Sequence, residues 1–219
     1  MTQAAAIATP PADGVEVVDV EPGYVGYFRL DRYRLRHRLY AGGWGPPMER
    51  EVFERGHAVA AVLYDPDKDV LVLIEQFRVG AYLALREPHL QGAFSPWLIE
   101  IVAGIIDTEE TPDAVIRREA VEEAGCTIRE LRPIGPILTT PGGSTETVGL
   151  YYGLVAAPPT GSVHGLDEEH EDIRVIVATP DEVWHWMDQG RIVNGPALTG
   201  LQWFRIHERE LRRPSAPAD

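Results

Sequence analysis

The chain of 219 residues contains very little cysteine, and Cys126 is the single one. One cysteine excludes an intramolecular disulfide and a metal cluster built on several thiolates. No run of the sequence approaches the roughly 18 consecutive apolar residues of a transmembrane helix. The first residues lack the basic start and apolar segment of a secretory signal. These absences predict a protein of the reducing cytoplasm that does not cross a membrane.

The chain is also short of positive charge. Its 20 Lys and Arg stand against 34 Asp and Glu, which gives a formal net charge of −14 at pH 7. Such a surface repels the phosphates of nucleic acids, so we expect no DNA or RNA partner. It would also repel an anionic small substrate unless cations were supplied locally. A bound metal ion is one way to supply them, and plain solubility is the other reading of the charge.

Short β-prone pieces separated by turn signals occupy the N-terminal part of the chain. The pieces are Val15–Val20, Tyr24–Leu30 and Tyr33–Tyr40, and the turn signals are Glu21-Pro22-Gly23 and a Gly- and Pro-rich stretch at residues 42–47. We predict a small antiparallel β unit over residues 15–54, ahead of a main domain over residues 55–211. Residues 1–14 and 212–219, which are rich in Ala and Pro, are predicted to be loose.

The main domain mixes strands and helices without a strict βαβ alternation. The predicted strands are His57–Tyr64, Val70–Glu75, Trp97–Val102, Thr127–Leu138, Thr147–Val155 and Ile173–Ala178. Two helices are predicted near the C-terminus, over Pro180–Gln189 and Ala197–Glu210. This order predicts a mixed sheet with helices packed on its faces, within the α/β or α+β class.

A further helix is predicted between Thr111 and Gly125. Thr111 is a good N-cap, Pro112 suits the first helical position and Asp113 favours the positive end of the helix dipole. Gly125 suits the left-handed position that ends a helix. The local sequence therefore predicts both ends of this helix.

Acidic residues cluster on the predicted helix. At about 100° per residue, one arc carries Glu119, Glu122 and Glu123, and the other carries Ala120, Val121 and Ala124. Glu119 and Glu123 are direct neighbours, so their charges repel. Mg²⁺ and similar hard cations prefer carboxylate oxygens and would offset that repulsion. An acidic face that is simply solvated is the alternative, and Arg118 at its edge could orient one carboxylate.

The whole acidic segment favours the metal-binding alternative. Its fixed residues are Gly104, Glu110, Arg118-Glu119, Glu122-Glu123 and Gly125, with the spacing G-x5-E-x7-R-E-U-x-E-E-x-G-U. This pattern resembles the signature of the Nudix hydrolase family at every fixed position, although Ala120 and Cys126 are small for the bulky aliphatic slots. The resemblance implies an α/β/α sandwich that uses Mg²⁺, with Mn²⁺ as a substitute. It also implies hydrolysis of nucleoside diphosphates linked to another group.

Stretches outside the signature resemble the bacterial ADP-ribose pyrophosphatase branch of that family. They are Phe53-Glu-Arg-Gly-His57, Ile74-Glu-Gln-Phe-Arg78, Trp97-Leu-Ile-Glu-Ile-Val-Ala-Gly104, Pro141-Gly-Gly143 and His164-Gly-Leu-Asp-Glu-Glu-His-Glu-Asp-Ile-Arg174. This resemblance implies hydrolysis of ADP-ribose to AMP and ribose 5-phosphate. It also implies a homodimer in which the N-terminal β unit is exchanged between the two copies.

The resemblance further implies roles for individual residues. The metal ligands would be Glu119 and Glu123, assisted by the Ala103 carbonyl and Glu122. Glu169 would be the general base, with Glu171 as the alternative, and Arg118 and Glu122 would also be catalytic residues. Substrate contacts would come from Arg78, Glu100, Gly104 and Glu146. In the N-terminal unit, Tyr27 or Phe28 would stack on adenine, and Arg50 and Glu51 would contact the base.

Two other functions remain open from the sequence. The same chemistry could act on another nucleoside-diphosphate sugar, such as GDP-mannose, or on a dinucleotide. A protein of another class would use the fold to sense a nucleotide without cutting it. Such sensors usually lose carboxylates of the signature, whereas this chain keeps Glu119, Glu122 and Glu123.

Overall fold

A computed structural model of the chain describes residues 12–107 and 109–212. The predicted loose ends therefore lie mostly outside the described residues. Within them, Ala12–Gly14 forms a short 3-10 helix, and the Arg212 guanidinium pairs with the Asp69 carboxylate. The chain divides into two compact units, one formed up to Arg55 together with Thr140–Glu146 and the other by the remainder. We call them the N-terminal unit and the main unit.

The N-terminal unit contains an antiparallel three-stranded sheet in the order β1-β2-β3. Its strands are β1 (Val15–Val25), β2 (Arg29–His37) and β3 (Met48–Glu54). The turn predicted at Glu21-Pro22-Gly23 is wrong, because β1 continues through these residues with an irregular register between Pro22 and Tyr24. An edge strand tolerates proline and an irregular step, since its outer side makes no ladder hydrogen bonds.

The outer strand of this sheet leaves apolar side chains uncovered. Every residue of β1 is exposed, and the exposed apolar side chains include Val15, Val17, Val18, Val20, Tyr24 and Val25. Covering apolar surface of this kind with another surface lowers the free energy of the protein.

The main unit contains a mixed sheet with the strand order β10-β11-β5-β4-β9-β8. Its described strands are β4 (Ala58–Asp65), β5 (Val70–Phe77), β6 (Trp97–Glu100), β7 (Val102–Ile105), β8 (Glu130–Leu138), β9 (Thr147–Leu154), β10 (Val163–His164) and β11 (Ile173–Ala178). Strands β6 and β7 extend the sheet by pairing with β5 and β4. The β4–β9 pair is parallel, so the sheet is mixed as predicted.

Helices cover both faces of this sheet. The described α-helices are α1 (Val79–Ala84), α2 (Pro112–Ala124), α3 (Pro180–Asp188) and α4 (Gly195–Leu211). Buried residues of α2 pack in one apolar cluster with alternate residues of β4 and β5. Buried residues of α3 and α4 pack in a second cluster with the other residues of the same strands. The predicted α/β/α arrangement is confirmed.

Two elements differ from the sequence prediction. The strand predicted over Trp97–Val102 is two strands, because β6 pairs with β5 and β7 pairs with β4. Pairing with two different partners requires a change of path near Ile101, which local propensity does not encode. Helix α1 is short and its N-cap makes no side-chain hydrogen bond, so the sequence contained no start signal for it.

The predicted ends of α2 are confirmed, but the prediction of which of its residues are buried was partly wrong. The Thr111 side chain accepts a hydrogen bond from the Ala114 N–H, and Gly125 has φ 61°. Val121, predicted on the buried arc, is 51% exposed, whereas Glu123 is only 2% exposed. The helix therefore turns one carboxylate toward the sheet, because the buried arc is centred on Ile116, Ala120 and Glu123.

Among the described residues, no helix combines the length and the apolar composition that crossing a bilayer requires.

Candidate active site

The buried acid Glu123 is held by the strand next to α2. Its Oε2 accepts a hydrogen bond from the Ala103 N–H at 2.9 Å. Ala103 lies on β7, which pairs with the central strand β4 through Ala60. A carboxylate at this depth requires such a donor, because burial without one costs several kcal/mol. The sheet thus fixes the carboxylate that the sequence assigns to metal binding, beside the backbone of Ala103.

Gly104 leaves room for the second acid of the pair. A Cβ atom at this position would lie 2.1 Å from Oε1 of Glu119. No side chain fits there without displacing the carboxylate. The structure thus gives Gly104 a steric role toward Glu119, and it brings together Ala103, Gly104, Glu119 and Glu123 as the sequence predicts.

Arg118 organises the outer acids of the helix. Its guanidinium contacts Glu110 at 3.1 Å, Glu119 at 2.9 Å and Glu122 at 2.7 Å. The pKa of Arg118 is raised, first through the hydrogen bond with Glu110 and then by the other two carboxylates. Arg118 is therefore committed to acids on its own segment, as its predicted orienting role requires.

Two carboxyl groups of the site ionise with difficulty. Burial raises the pKa of Glu123 to about 8, and the charges of Glu119 and Glu171 add to the effect, although the Ala103 N–H opposes it. Burial also raises the pKa of Glu119 to about 7, with Glu122 and Glu171 adding and Arg118 opposing. Such shifts mean that a nearby positive charge would be strongly favourable.

These residues fit a hard divalent cation. In the described part of the chain, no three His, Cys, Asp or Glu side chains are already arranged as a metal cluster. Mg²⁺ commonly uses one or two carboxylates together with water and substrate phosphates. Glu119, Glu123 and the nearby backbone carbonyls supply such oxygens, and Mn²⁺ accepts the same donors.

Arg78 and Glu100 form a second charged pair of the main unit. The guanidinium meets the carboxylate through two nitrogens, at 3.1 Å from Nε and 2.7 Å from Nη2. Glu100 is buried and also accepts from Asn194 Nδ2 at 3.1 Å. Glu100 is therefore engaged with Arg78 and Asn194, while the Arg78 side chain stays 45% exposed. Asn194 was missed because its sequence signal is only that of the helix cap it also provides.

The loop that carries the candidate bases is anchored to the end of α2. The Gly165 N–H donates to the Glu122 carbonyl at 3.0 Å. A Cβ on Gly125 would lie 2.7 Å from the His164 ring, so the helix end and β10 meet closely. This contact aims the segment after Gly165 back toward the acids of α2.

The two candidate bases occupy different surroundings. The charge of Glu171 raises the pKa values of Glu119, Glu123 and Arg78, so this carboxylate lies close enough to act on all three groups. Glu171 is half-buried and accepts from the Leu166 N–H at 3.2 Å. Glu169 is exposed at the end of a 3-10 turn. In this arrangement Glu171 lies near Glu119, Glu123 and Arg78, whereas Glu169 is exposed to solvent.

The predicted base-binding residues belong to the N-terminal unit. Phe28 packs edge-on against Tyr27 at 4.8 Å and Phe53 at 5.1 Å. Tyr27 is 87% exposed. The Arg55 guanidinium lies 5.8 Å from the Phe28 ring and 2.7 Å from the Glu146 carboxylate. The structure thus brings Phe28 and Glu146 together through Arg55, which was missed although it lies in one of the matched stretches.

Arg50 and Glu51 are not brought together in the same way. They are consecutive residues of β3, and neighbouring residues of a strand point to opposite faces of its sheet. One face of the sheet can therefore present Arg50 or Glu51, but not both.

We predict that Glu123→Gln stabilises the metal-free protein at high pH. A glutamate side chain in the unfolded chain has a pKa of about 4.3, whereas burial raises the pKa of Glu123 in the folded protein to about 8. The wild type therefore loses stability as pH rises from about 5 to 8, because only the unfolded chain ionises freely. With EDTA present, the Tm of the variant minus that of the wild type should grow over this range. Added Mg²⁺ should raise the Tm of the wild type only.

The control is Glu109→Gln, which removes the same charge from an exposed position near the start of α2. Its Tm difference from the wild type should not follow pH in this way. A Glu123→Gln variant that is less stable than the wild type at pH 8.5 in EDTA would contradict the assignment of an uncompensated buried acid.

Comparisons with known proteins indicate the family to which the chain belongs. The family model for the NUDIX domain matches residues 54–210. An ADP-ribose pyrophosphatase of Escherichia coli is 40% identical over 198 residues, which cover 90% of this chain and 91% of that protein. An ADP-ribose pyrophosphatase of Haemophilus influenzae is 37% identical over 91% of this chain and 89% of its own length. A GDP-mannose pyrophosphatase of Klebsiella pneumoniae is 34% identical over 72% of this chain and 75% of its own length.

A solved structure described as an ADP compounds hydrolase superposes on the chain with a TM-score of 0.67. It covers 94% of this chain and 100% of its own, at 16% identity, and so supports the fold alone. The matched family region includes all of α2 and the strand that holds Glu123. The chain belongs to the Nudix family of hydrolases.

Proposed function

We propose that the protein hydrolyses ADP-ribose to AMP and ribose 5-phosphate with Mg²⁺, for which Mn²⁺ can substitute. The observation that carries the chemistry is the pair of acids, Glu119 and Glu123, whose pKa values are raised to about 7 and 8 beside Gly104. The relatives named ADP-ribose pyrophosphatase support the substrate, since they match about nine tenths of the chain at 37 and 40% identity.

Glu119 and Glu123 would hold the metal ion from the helix side, with the Ala103 carbonyl and Glu122 assisting. The ion would neutralise charge at the diphosphate and make a water molecule easier to deprotonate. Arg118 keeps Glu119 and Glu122 in place through contacts of 2.9 and 2.7 Å. This arrangement places the negative ligands on one rigid helix, which favours a fixed position of the attacked phosphorus.

The loop glutamates take different parts in this proposal. Glu169 accepts the proton of the attacking water, and its exposed position lets it move in when substrate is bound. Glu171 already faces Glu119 and Glu123, and its charge raises both of their pKa values. A third carboxylate in that place is favourable only when a cation is present, so we assign Glu171 to the metal side of the site. Glu171 as the base is the alternative.

Arg78 contacts a phosphate or the terminal ribose of the substrate. Its guanidinium is fixed by the two contacts with Glu100 and remains 45% exposed. Glu100 supports this role from behind, because its own carboxylate is buried between Arg78 and Asn194. Gly104 admits the substrate beside Glu119 because it has no side chain.

The N-terminal unit supplies the contacts to the base. Phe28 or Tyr27 stacks on adenine, and Arg50 or Glu51 recognises the base edge. The Arg55 guanidinium lies beside the Phe28 ring and pairs with Glu146. The unit also joins two copies of the chain into a homodimer in which it is exchanged. The exposed valines of β1 support a partner surface, because an isolated sheet of few strands needs apolar packing for its stability.

We place this homodimer in the cytoplasm. The thiol of Cys126 is free and buried, which suits a reducing compartment.

The substrate is tested with a panel of nucleoside diphosphates. We expect the highest kcat/KM for ADP-ribose, at least about tenfold above GDP-mannose and dinucleotides, with AMP and ribose 5-phosphate as the only products seen by ion-exchange chromatography. Recognition of a base by hydrogen bonds gives differences of this size. A GDP-mannose preference would reject the substrate and keep the chemistry. Nucleotide binding without any hydrolysis would support a sensor instead.

The loop residues are separated by paired glutamine variants. Glu169→Gln should lower kcat about 10²–10⁴-fold at saturating Mg²⁺, the usual contribution of a general base, and leave Mg²⁺ affinity unchanged. Glu171→Gln should instead raise the Mg²⁺ concentration needed for half-maximal rate. Steady-state rates over a Mg²⁺ titration distinguish them. If the two variants exchanged these effects, Glu171 would be the base.

The dimer is tested by introducing a charged residue into the proposed interface between the two copies. Light scattering of the wild type should give about twice the chain mass of 24.3 kDa. Val17→Asp should shift the protein toward the monomer, because a carboxylate is costly to bury in an apolar interface. Ile206→Asp introduces the same charge at an exposed position of α4 and should leave the mass unchanged. A monomeric wild type would rule out the exchanged unit.

A further inference from the structure

A buried amide in the main unit lacks a hydrogen-bond partner. Gln76 is 7% exposed, and its Nε2 finds no partner among residues 12–107 and 109–212. Leaving such a donor unpaired destabilises a fold more than an apolar residue of similar size would. The amide therefore calls for a partner that the described residues do not offer in this arrangement.

The position of Gln76 lies on the side of the sheet that α2 covers. Side chains alternate along a strand, and Val72 and Ile74 of β5 pack in the cluster that contains α2. Gln76 continues this row, and Arg78 follows two residues later. The unpaired amide thus lies on the same face as the acidic helix, one alternate position from the arginine that binds Glu100.

Strand β11 lies beside β5 near Gln76, and the loop that contains Glu169 and Glu171 directly precedes it. Arg174 of β11 pairs with Glu75 of β5, so Ile173 lies beside Gln76 in this antiparallel register. Glu171 precedes Ile173 by two residues. Its carboxylate acts electrostatically on Arg78, Glu119 and Glu123, which places it over the same face.

Glu171 has an unused hydrogen-bonding capacity. Within the described part of the chain, the Glu171 carboxylate accepts a long hydrogen bond of 3.2 Å from the Leu166 N–H, and a carboxylate accepts several such bonds. A neutral amide is a suitable additional donor, because it orients a carboxylate without cancelling the negative charge that a cation requires. Donors behind a ligating carboxylate commonly serve this purpose.

We propose that Gln76 is a positioning residue, whose side-chain amide donates a hydrogen bond to the Glu171 carboxylate and aims it at the acids of α2 when the loop closes over substrate. The proposal rests on the proposed metal-side role of Glu171. It gives the buried amide the partner that it lacks, and it links β5 to the loop at the point where β11 begins.

The test replaces Gln76 with methionine, which keeps the length of the side chain and removes the donor. Mn²⁺ binding to the substrate-free protein, measured by electron paramagnetic resonance of the free ion, should weaken about tenfold, within the 10–100-fold range of such supporting contacts. The Mg²⁺ requirement of turnover should rise in parallel, and the KM for ADP-ribose at saturating Mg²⁺ should not change. The Tm in EDTA should be equal or higher, because the unpaired donor is gone.

The control is Glu75→Gln, the adjacent residue on the opposite face, which should keep Mn²⁺ affinity. A double-mutant cycle then separates the two roles. Gln76→Met should add little to the loss of Mn²⁺ affinity in Glu171→Gln, since the amide acts through that carboxylate. Additive losses would overturn the contact between the two residues.

Other outcomes are equally decisive. Normal Mn²⁺ binding and turnover in Glu171→Gln would reject the proposed role of Glu171 and the inference with it. Weak Mn²⁺ binding in Glu171→Gln together with normal binding in Gln76→Met would reject the inference alone. A raised KM with an unchanged Mn²⁺ affinity in Gln76→Met would show that the amide meets the substrate.

Discussion

The site depends on the cost of keeping negative charge away from water without a counter-charge. Glu123 is nearly inaccessible and accepts a hydrogen bond from the Ala103 backbone N–H. The Arg78 charge also favours its ionised form, whereas Glu119 and Glu171 add charge of the same sign. Burial of this kind is tolerated in a metal-free protein because the carboxyl groups can take up protons. A cation at the proposed site would replace those protons, so the repulsion between the carboxylates would favour metal binding.

The surrounding fold keeps this repulsion from being relieved in other ways. Gly104 gives Glu119 its space, and Arg118 ties Glu119 to Glu110 and Glu122 so that it does not swing into solvent. The Gly165–Glu122 backbone contact returns the next loop toward the helix. Each of these contacts restrains either a backbone segment or a side chain that is also bonded to another group. The acids therefore stay close in the absence of metal, as preorganised electrostatics requires.

Local sequence rules predicted the parts of the site that one helix contains. Thr111 and Gly125 end α2 as capping chemistry requires, and the spacing of Glu119 and Glu123 places them on one side. The sheet decided the rest. Glu123 rather than Val121 faces inward because the buried arc follows β7 and not the apolar pattern alone. Asn194 meets Glu100 across 94 positions of sequence, and no local signal reports such a contact.

An acidic chain that acts on an anionic substrate must supply positive charge where the substrate lies. The formal charge is −14, and the most central arginine, Arg118, is already bound to three carboxylates. Arg78 is more accessible, but it shares its charge with Glu100. Within the described part of the main unit, arginines near the acids thus leave little charge free for a diphosphate. Cations at the site proposed for Glu119 and Glu123 would then supply most of the attraction, so substrate affinity and metal affinity are expected to be coupled.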